Sequence, residues 1–210
     1  MAAVVGVITF FTLPNGTVKS AVAFVVGIWL VLGTLSFVRN RFVTGKGRFT
    51  AEMVGMCFAH FGLAVFFFGV LMTESMSQER DVAARPGQTF ELQGYSFRFD
   101  GVKDVQGPNY QAQRGTVVVS HGGETIATMQ PEKRAYMSGG SIMTEADIRG
   151  GLHRDLYVAL GEPLDSNGSW ALRLYVKPFV RWIWLGALLM AIGGFTVVLD
   201  KRFRRTVADE

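Results

Sequence analysis

The chain has 210 residues, of which 49% are hydrophobic and only 18% charged, and its formal net charge is +4. Apolar content this high with so few charges excludes an ordinary soluble domain and points to an integral membrane protein with one modest extramembrane part. The pI of 9.4 reflects basic residues gathered at the flanks of apolar stretches. Membrane topology explains them better than a polyanion-binding surface does, so no nucleic acid partner is expected. The single cysteine, Cys57, lies inside an apolar stretch, which leaves no internal disulfide framework and no CxxC metal site.

In chain order, Ala2 to Leu13 is apolar but too short for an upright span. It reads as an interfacial or re-entrant element, or as the remainder of a helix whose beginning lies elsewhere. After the Pro14-Asn15-Gly16 turn, residues 20–38 carry no charge and form a spanning helix. Arg39, Arg41, Lys46 and Arg48 follow, and the positive-inside rule places this loop in the cytoplasm. Residues 53–72 make a second span, which at about 1.5 Å per residue crosses a hydrocarbon core of about 30 Å. The last apolar run, Trp182 to Leu199, ends at Lys201, Arg202, Arg204 and Arg205, a second basic cluster on the same side. The expected class is therefore an α-helical transmembrane bundle of three full spans plus the short N-terminal apolar segment, with an inserted periplasmic all-β domain. The expected boundaries are 1–72 for the first membrane region, 73–177 for the β domain, and 178–210 for the final helix and its basic cytoplasmic tail.

The inserted segment alternates apolar and polar residues at Thr89 to Leu92, Tyr95 to Phe99, Gly115 to Ser120, Glu124 to Met129, Arg154 to Leu160 and Ser169 to Val176. Pro86-Gly87, Gly107-Pro108-Asn109, Gly122-Gly123 and Ser166-Asn167-Gly168 break these runs, so a small barrel or sandwich is expected. Met143 to Arg149 reads as one short helical turn capped by Thr144. The Glu132-Lys133-Arg134 run reads as a solvated strand edge, and Arg154-Asp155 as an ion pair at a strand end.

Chemistry concentrates on His60, near the middle of the second span. An imidazole in hydrocarbon needs a hydrogen-bond partner, a metal or a proton to exchange. Three readings stand side by side: a neutral ring bonded to a neighbouring helix, an axial ligand to haem iron, and a proton relay. Phe58, Phe61 and Phe66 to Phe68 offer a flat apolar surround for a porphyrin. A relay needs further polar groups, and Thr34 and Ser36 are the few available. Gly55, Ala59, Gly62 and Gly69 recur near helical spacing and admit a second helix or a flat ligand to the backbone, and Ala187, Ala191, Gly193 and Gly194 give the last span its own small face. His121 and His153 read as exposed or structural. Trp182 and Trp184 read as interfacial anchors, and Arg181 as a partner for a headgroup or a propionate.

A series of motifs then takes on a family character. In order they are Ala59-His60-Phe61-Gly62, Glu79 to Val82, Gly107 to Tyr110, Glu132 to Tyr136, Met143 to Ile148, Arg154 to Glu162 and Arg173 to Trp184. Over Phe49 to Arg205 the series resembles the C-terminal part of the CcmF family, the haem lyase subunit of bacterial cytochrome c maturation. The resemblance implies an inner-membrane protein that takes haem from a periplasmic haem chaperone and attaches it to apocytochrome c, working with thiol-reducing chaperone subunits. It also implies a membrane haem b held by two transmembrane histidines, the second of which falls on His60. The first membrane histidine, the tryptophan-rich periplasmic motif and two periplasmic haem ligands belong upstream in that family. The expectation is thus a C-terminal half that needs the N-terminal half of the same lyase, or a fragment of it, with Ala2 to Leu13 as a cut helix. A membrane-anchored β scaffold without a cofactor is the alternative.

Overall fold

The computed structural model describes residues 18–44 and 49–199. The apolar segment 2–13, Lys46, Arg48 and the basic tail from Lys201 lie outside the described residues. Two compact units are present, one of helices and one comprising Ser77–Pro178.

The helical unit contains α1 (Val18–Val43), α2 (Ala51–Met76) and α3 (Val180–Val198). All three are long and apolar enough to cross a membrane. Thr50 starts α2: its hydroxyl accepts the Met53 N–H at 3.4 Å, and Glu52 complements the positive end of the helix. Phe179 takes the left-handed conformation, φ 57°, immediately before α3. Its ring lies 5.4 Å from Phe68 and 5.7 Å from Trp182, which packs on Phe68 in turn at 5.3 Å.

α2 and α3 run antiparallel with their backbones in contact. Gly55, Gly62 and Gly69 repeat every seven residues on α2, and Gly186 and Gly193 do so on α3. A Cβ on Gly55 would lie 2.5 Å from the Gly193 carbonyl oxygen, one on Gly62 2.7 Å from the Met190 nitrogen, and one on Gly69 2.7 Å from the Ile183 nitrogen. Of the small residues expected to pack on the last span, Gly193 does so. Gly194 would meet nothing within 4 Å among the described residues, and Gly186 supplies the other close approach. Because lipid is as apolar as a leucine side chain, contact of this kind rather than hydrophobic burial draws helices together in a membrane. α1 lies antiparallel on another side of α2, with Gly27 at the level of Ala64 and Phe67.

The second unit is a β-sandwich, which decides between the two architectures expected. One sheet contains β1 (Gln78–Ala84), β10 (Trp170–Pro178), β9 (Arg154–Pro163) and β8 (Asp147–Arg149), in that order. The other runs β2 (Thr89–Leu92), β3 (Tyr95–Gln106), β4 (Tyr110–His121), β6 (Glu132–Tyr136) and β7 (Met143–Glu145), with β5 (Glu124–Met129) also paired to β4. Inward residues of both sheets, including Phe97, Phe99, Val117, Met129, Leu156, Leu160, Leu174 and Val176, form one core. Gly122 and Gly123, both at positive φ, close the two-residue β4–β5 hairpin. The sheet edges are tied across the sandwich. Arg80 donates to the Glu91 carbonyl at 2.9 Å, and the Gln130 N–H donates to Asp147 at 2.6 Å, which blunts edge-to-edge association.

One expectation is corrected here. Met143 to Arg149 is not a helical turn capped by Thr144 but the two short strands β7 and β8, which carry the chain from one sheet to the other. A single turn carries the full nucleation cost of a helix, whereas β6 and β9 offer ready-made ladder partners.

A leucine at Gly186 would place its Cβ 2.5 Å from the Phe66 nitrogen and 2.6 Å from the Gly62 carbonyl oxygen. Gly186→Leu is expected to lower stability by about 2 kcal/mol or more, at the upper end for overpacking, while Gly194→Leu stays near wild type. Thermal unfolding in detergent micelles, followed by circular dichroism, measures the difference.

Candidate cofactor-binding site

His60 sits on α2 between Gly55 and Gly62, yet at 100° per residue it lies roughly 160° around the helix from their seam. The contact with α3 therefore turns the imidazole away from α3, and the side chain is exposed. It opens into a groove of about 260 Å³ shared with α1 and lined by Trp29, Leu30, Gly33, Thr34, Phe37, Met56 and His60. Its Nδ1 lies 2.9 Å from the Met56 carbonyl oxygen, one turn earlier. A carbonyl only accepts, so the proton is assigned to Nδ1 and Nε2 keeps its lone pair. A metal-ligating histidine characteristically has this arrangement, with its second ring nitrogen anchored to a backbone carbonyl or carboxylate.

The expected surround differs from the observed one. The groove wall comes from α1, with Met56 beside the histidine. Phe61 and Phe68 instead line a separate, almost wholly apolar cavity of about 370 Å³ between α1 and α2, which Trp182 also lines. Thr34 lines the His60 groove, with its hydroxyl donating to the Leu30 carbonyl at 2.8 Å; Ser36 is exposed. Trp182 packs on Phe68 and Phe179, whereas Trp184 and Arg181 are exposed. The contribution of α1 was missed from sequence because a helix–helix pairing has no local signature. Gly33, flanked by Trp29 and Phe37 at helical spacing, was the available hint.

The other two histidines belong to the sandwich. His121 stacks on Tyr95, ring centroids 4.6 Å apart, and donates from Nδ1 to the Gly94 carbonyl at 2.9 Å. His153 is exposed. The expected Arg154–Asp155 pair is replaced by separate bonds: Arg154 donates to the Tyr95 hydroxyl, and Asp155 accepts the Gly151 N–H at 2.9 Å. Adjacent strand residues point to opposite faces, which sends Arg154 toward Tyr95 of the facing sheet. No group of three or more His, Cys, Asp or Glu side chains able to hold a metal ion occurs among the described residues.

Residues 75–178 match the family model described as the CcmF C-terminal beta-sandwich. The chain is 48% identical over 186 residues to the cytochrome c-type biogenesis protein CcmF of Pseudomonas aeruginosa, covering 86% of this chain and 28% of that protein. It is 43% identical over 182 residues to CcmF of Escherichia coli K12, covering 87% and 28%. The chain belongs to the CcmF family. It is also similar to the solved structure of cytochrome c heme lyase CcmF, with a TM-score of 0.75 at 18% identity over 95% of this chain and 33% of that one. That likeness shows the same fold of three apolar helices with a sandwich. The chain spans a little over a quarter of the length of the CcmF relatives from Pseudomonas aeruginosa and Escherichia coli.

Within this CcmF-family sandwich, the Glu132-Lys133-Arg134 run is not a solvated edge. β6 is paired on both sides, to β4 and β7, so Glu132 and Lys133 are only 5% and 7% exposed. Glu132 accepts from Arg114 and from Arg134, the latter at 2.6 Å, and Lys133 donates to Glu162. The Arg134 guanidinium also lies 4.5 Å from the Tyr110 ring centroid. Burial alone would raise the Glu132 carboxyl, but the hydrogen bonds and charges of Arg134 and Arg114 outweigh it and hold the group below its ordinary range. Its contribution to stability is therefore complete at neutral pH and is lost as pH falls through the lowered folded value. Glu132→Gln is expected to cost roughly 2 kcal/mol at neutral pH, less than a fully buried pair because both arginines are partly exposed. Urea unfolding followed by near-ultraviolet circular dichroism should show that gap shrinking below about pH 4; an equal gap at pH 7 and pH 3 would refute the assignment.

Proposed function

We propose that this chain is the haem-handling C-terminal part of a cytochrome c maturation haem lyase, with His60 as one axial ligand of a membrane haem b. The observation that carries the reading is His60 lining a groove with its Nδ1 tied to the Met56 carbonyl, which leaves Nε2 to act as the ligand atom. Family membership supports it, since the relatives are named for cytochrome c biogenesis. The residues fit the group. His60 would hold the iron through Nε2, Met56 would fix the ring plane and tautomer, and Trp29, Leu30 and Phe37 would keep water from the face they cover.

Bound there, a haem b supplies a one-electron redox centre at membrane depth. The chain's own part is positional. The glycine seam fixes the rotation of α2, the Met56 carbonyl fixes the ring, and α1 sets the apolar wall. By the family resemblance, the second axial ligand would be a membrane histidine outside this chain. The basic residues Arg39 and Arg41 after the first span support a cytoplasmic loop there, and hence a periplasmic sandwich in the bacterial inner membrane. In that compartment the sandwich would meet a periplasmic haem chaperone, apocytochrome c and the thiol-reducing subunits that accompany it. No side chain here is assigned as acid or base for thioether formation.

The chain, co-expressed with the remainder of a CcmF-family protein and purified in detergent, is expected to show a Soret band. His60→Ala should lose at least half of the haem per protein, scored as the pyridine haemochrome. Equal haem content in the variant would overturn the reading.

A further inference from the structure

Every glycine in the α2–α3 seam is explained by a neighbour, but Gly33 on α1 is not. A Cβ built at Gly27 would make ordinary contact, 3.9 Å to the Phe67 Cβ and 4.0 Å to the Ala64 carbonyl oxygen, whereas one at Gly33 would meet nothing within 4 Å among the described residues. A glycine inside a helix is destabilising relative to alanine, and at Gly33 no packing among the described residues compensates for it. Gly194 on α3 is equally open, but of the two only Gly33 lines the groove that His60 enters. Its companions there are large and flat or apolar: Trp29, 69% exposed, stands one turn before it, and Phe37 one turn after.

We infer that α1 forms one wall of the His60 cleft, and that Gly33 is the slot that lets the edge of a planar macrocycle lie against the helix backbone between Trp29 and Phe37. The inference rests on the haem-ligand reading of His60 and extends it by naming the residues that set how closely, and at what height on α1, the ring can approach. Three features specify a flat aromatic occupant rather than another helix. The cleft offers a nitrogen lone pair from one helix, a missing side chain on the facing helix, and two aromatic residues a turn above and below the gap. A packing helix would need small residues on a continuous stripe, and here Gly33 lies among Trp29, Leu30 and Phe37.

The test is a haemin titration of the full chain in detergent, with absorbance giving the apparent affinity and circular dichroism giving helix content and thermal midpoint. Gly33→Leu fills the slot, and because nothing among the described residues lies within 4 Å it should leave helix content unchanged and the midpoint equal or higher. Its haemin affinity is expected to fall at least tenfold, with Gly33→Ala between it and wild type and Gly194→Leu at the wild-type value. If His60→Ala weakens binding but Gly33→Leu binds as wild type does, the slot is refuted and the histidine reading stands. If wild type and His60→Ala bind haemin equally, the ligand reading fails, and the slot falls with it.

Discussion

The antiparallel contact between α2 and α3 is the constraint on which the helical unit depends. Glycines seven residues apart on both helices bring carbonyl oxygens and amide nitrogens of one backbone against the other. A seven-residue repeat drifts about 20° per heptad on a straight α-helix, so keeping Gly55, Gly62 and Gly69 all on the seam asks the pair to coil gently left-handed. Rotation of either helix about its axis would bring a bulky side chain into the gap. The seam is therefore a rotational lock as well as an attraction, and the facing direction of every other α2 residue follows from it.

The two units are stabilised by different physics. Between helices in lipid there is no water to expel, and close packing does the work. The sandwich buries a core of large apolar side chains from two facing sheets, and the hydrophobic effect dominates there. Its buried charged residues are paired: Glu132 takes two arginines and Lys133 takes Glu162. On the exposed side, Arg173 holds Asp81 at 2.7 Å across the β1–β10 pair. An unpaired charge at the Glu132 position would be far more damaging than the absence of any charge at all.

The lock matters for function because it decides what His60 can meet. With the glycine face committed to α3, the opposite face presents an imidazole whose tautomer is set by its own helix. Beside it stands an α1 wall with one side chain missing. In the proposed reading this chain would supply one nitrogen ligand and one wall; it spans little more than a quarter of the length of the CcmF relatives from Pseudomonas aeruginosa and Escherichia coli.

The amino-acid sequence by itself determined the three spans, because runs of apolar residues longer than a bilayer is thick have few other stable environments. It also determined the strands Thr89–Leu92 and Glu124–Met129 with the bounds observed, since alternation and turn residues are local signals. It singled out His60 by composition alone, as the ionisable group in an oily helix. Tertiary structure decided the rest. Glu132-Lys133-Arg134 reads as a solvated strand edge until the two partners of β6 are seen, and β1 is not among the alternating runs at all. Asp81 pairs with a residue 92 positions away, and Glu132 with one 18 positions away. Met143 to Arg149 became strands because neighbouring strands offered hydrogen bonds that an isolated turn could not match. Likewise the glycines of α2 admit a helix or a flat ligand equally well on paper. Only packing against α3 assigned one face to the helix and left the other to His60, because the choice depends on which backbone arrives, and that is a property of the whole fold.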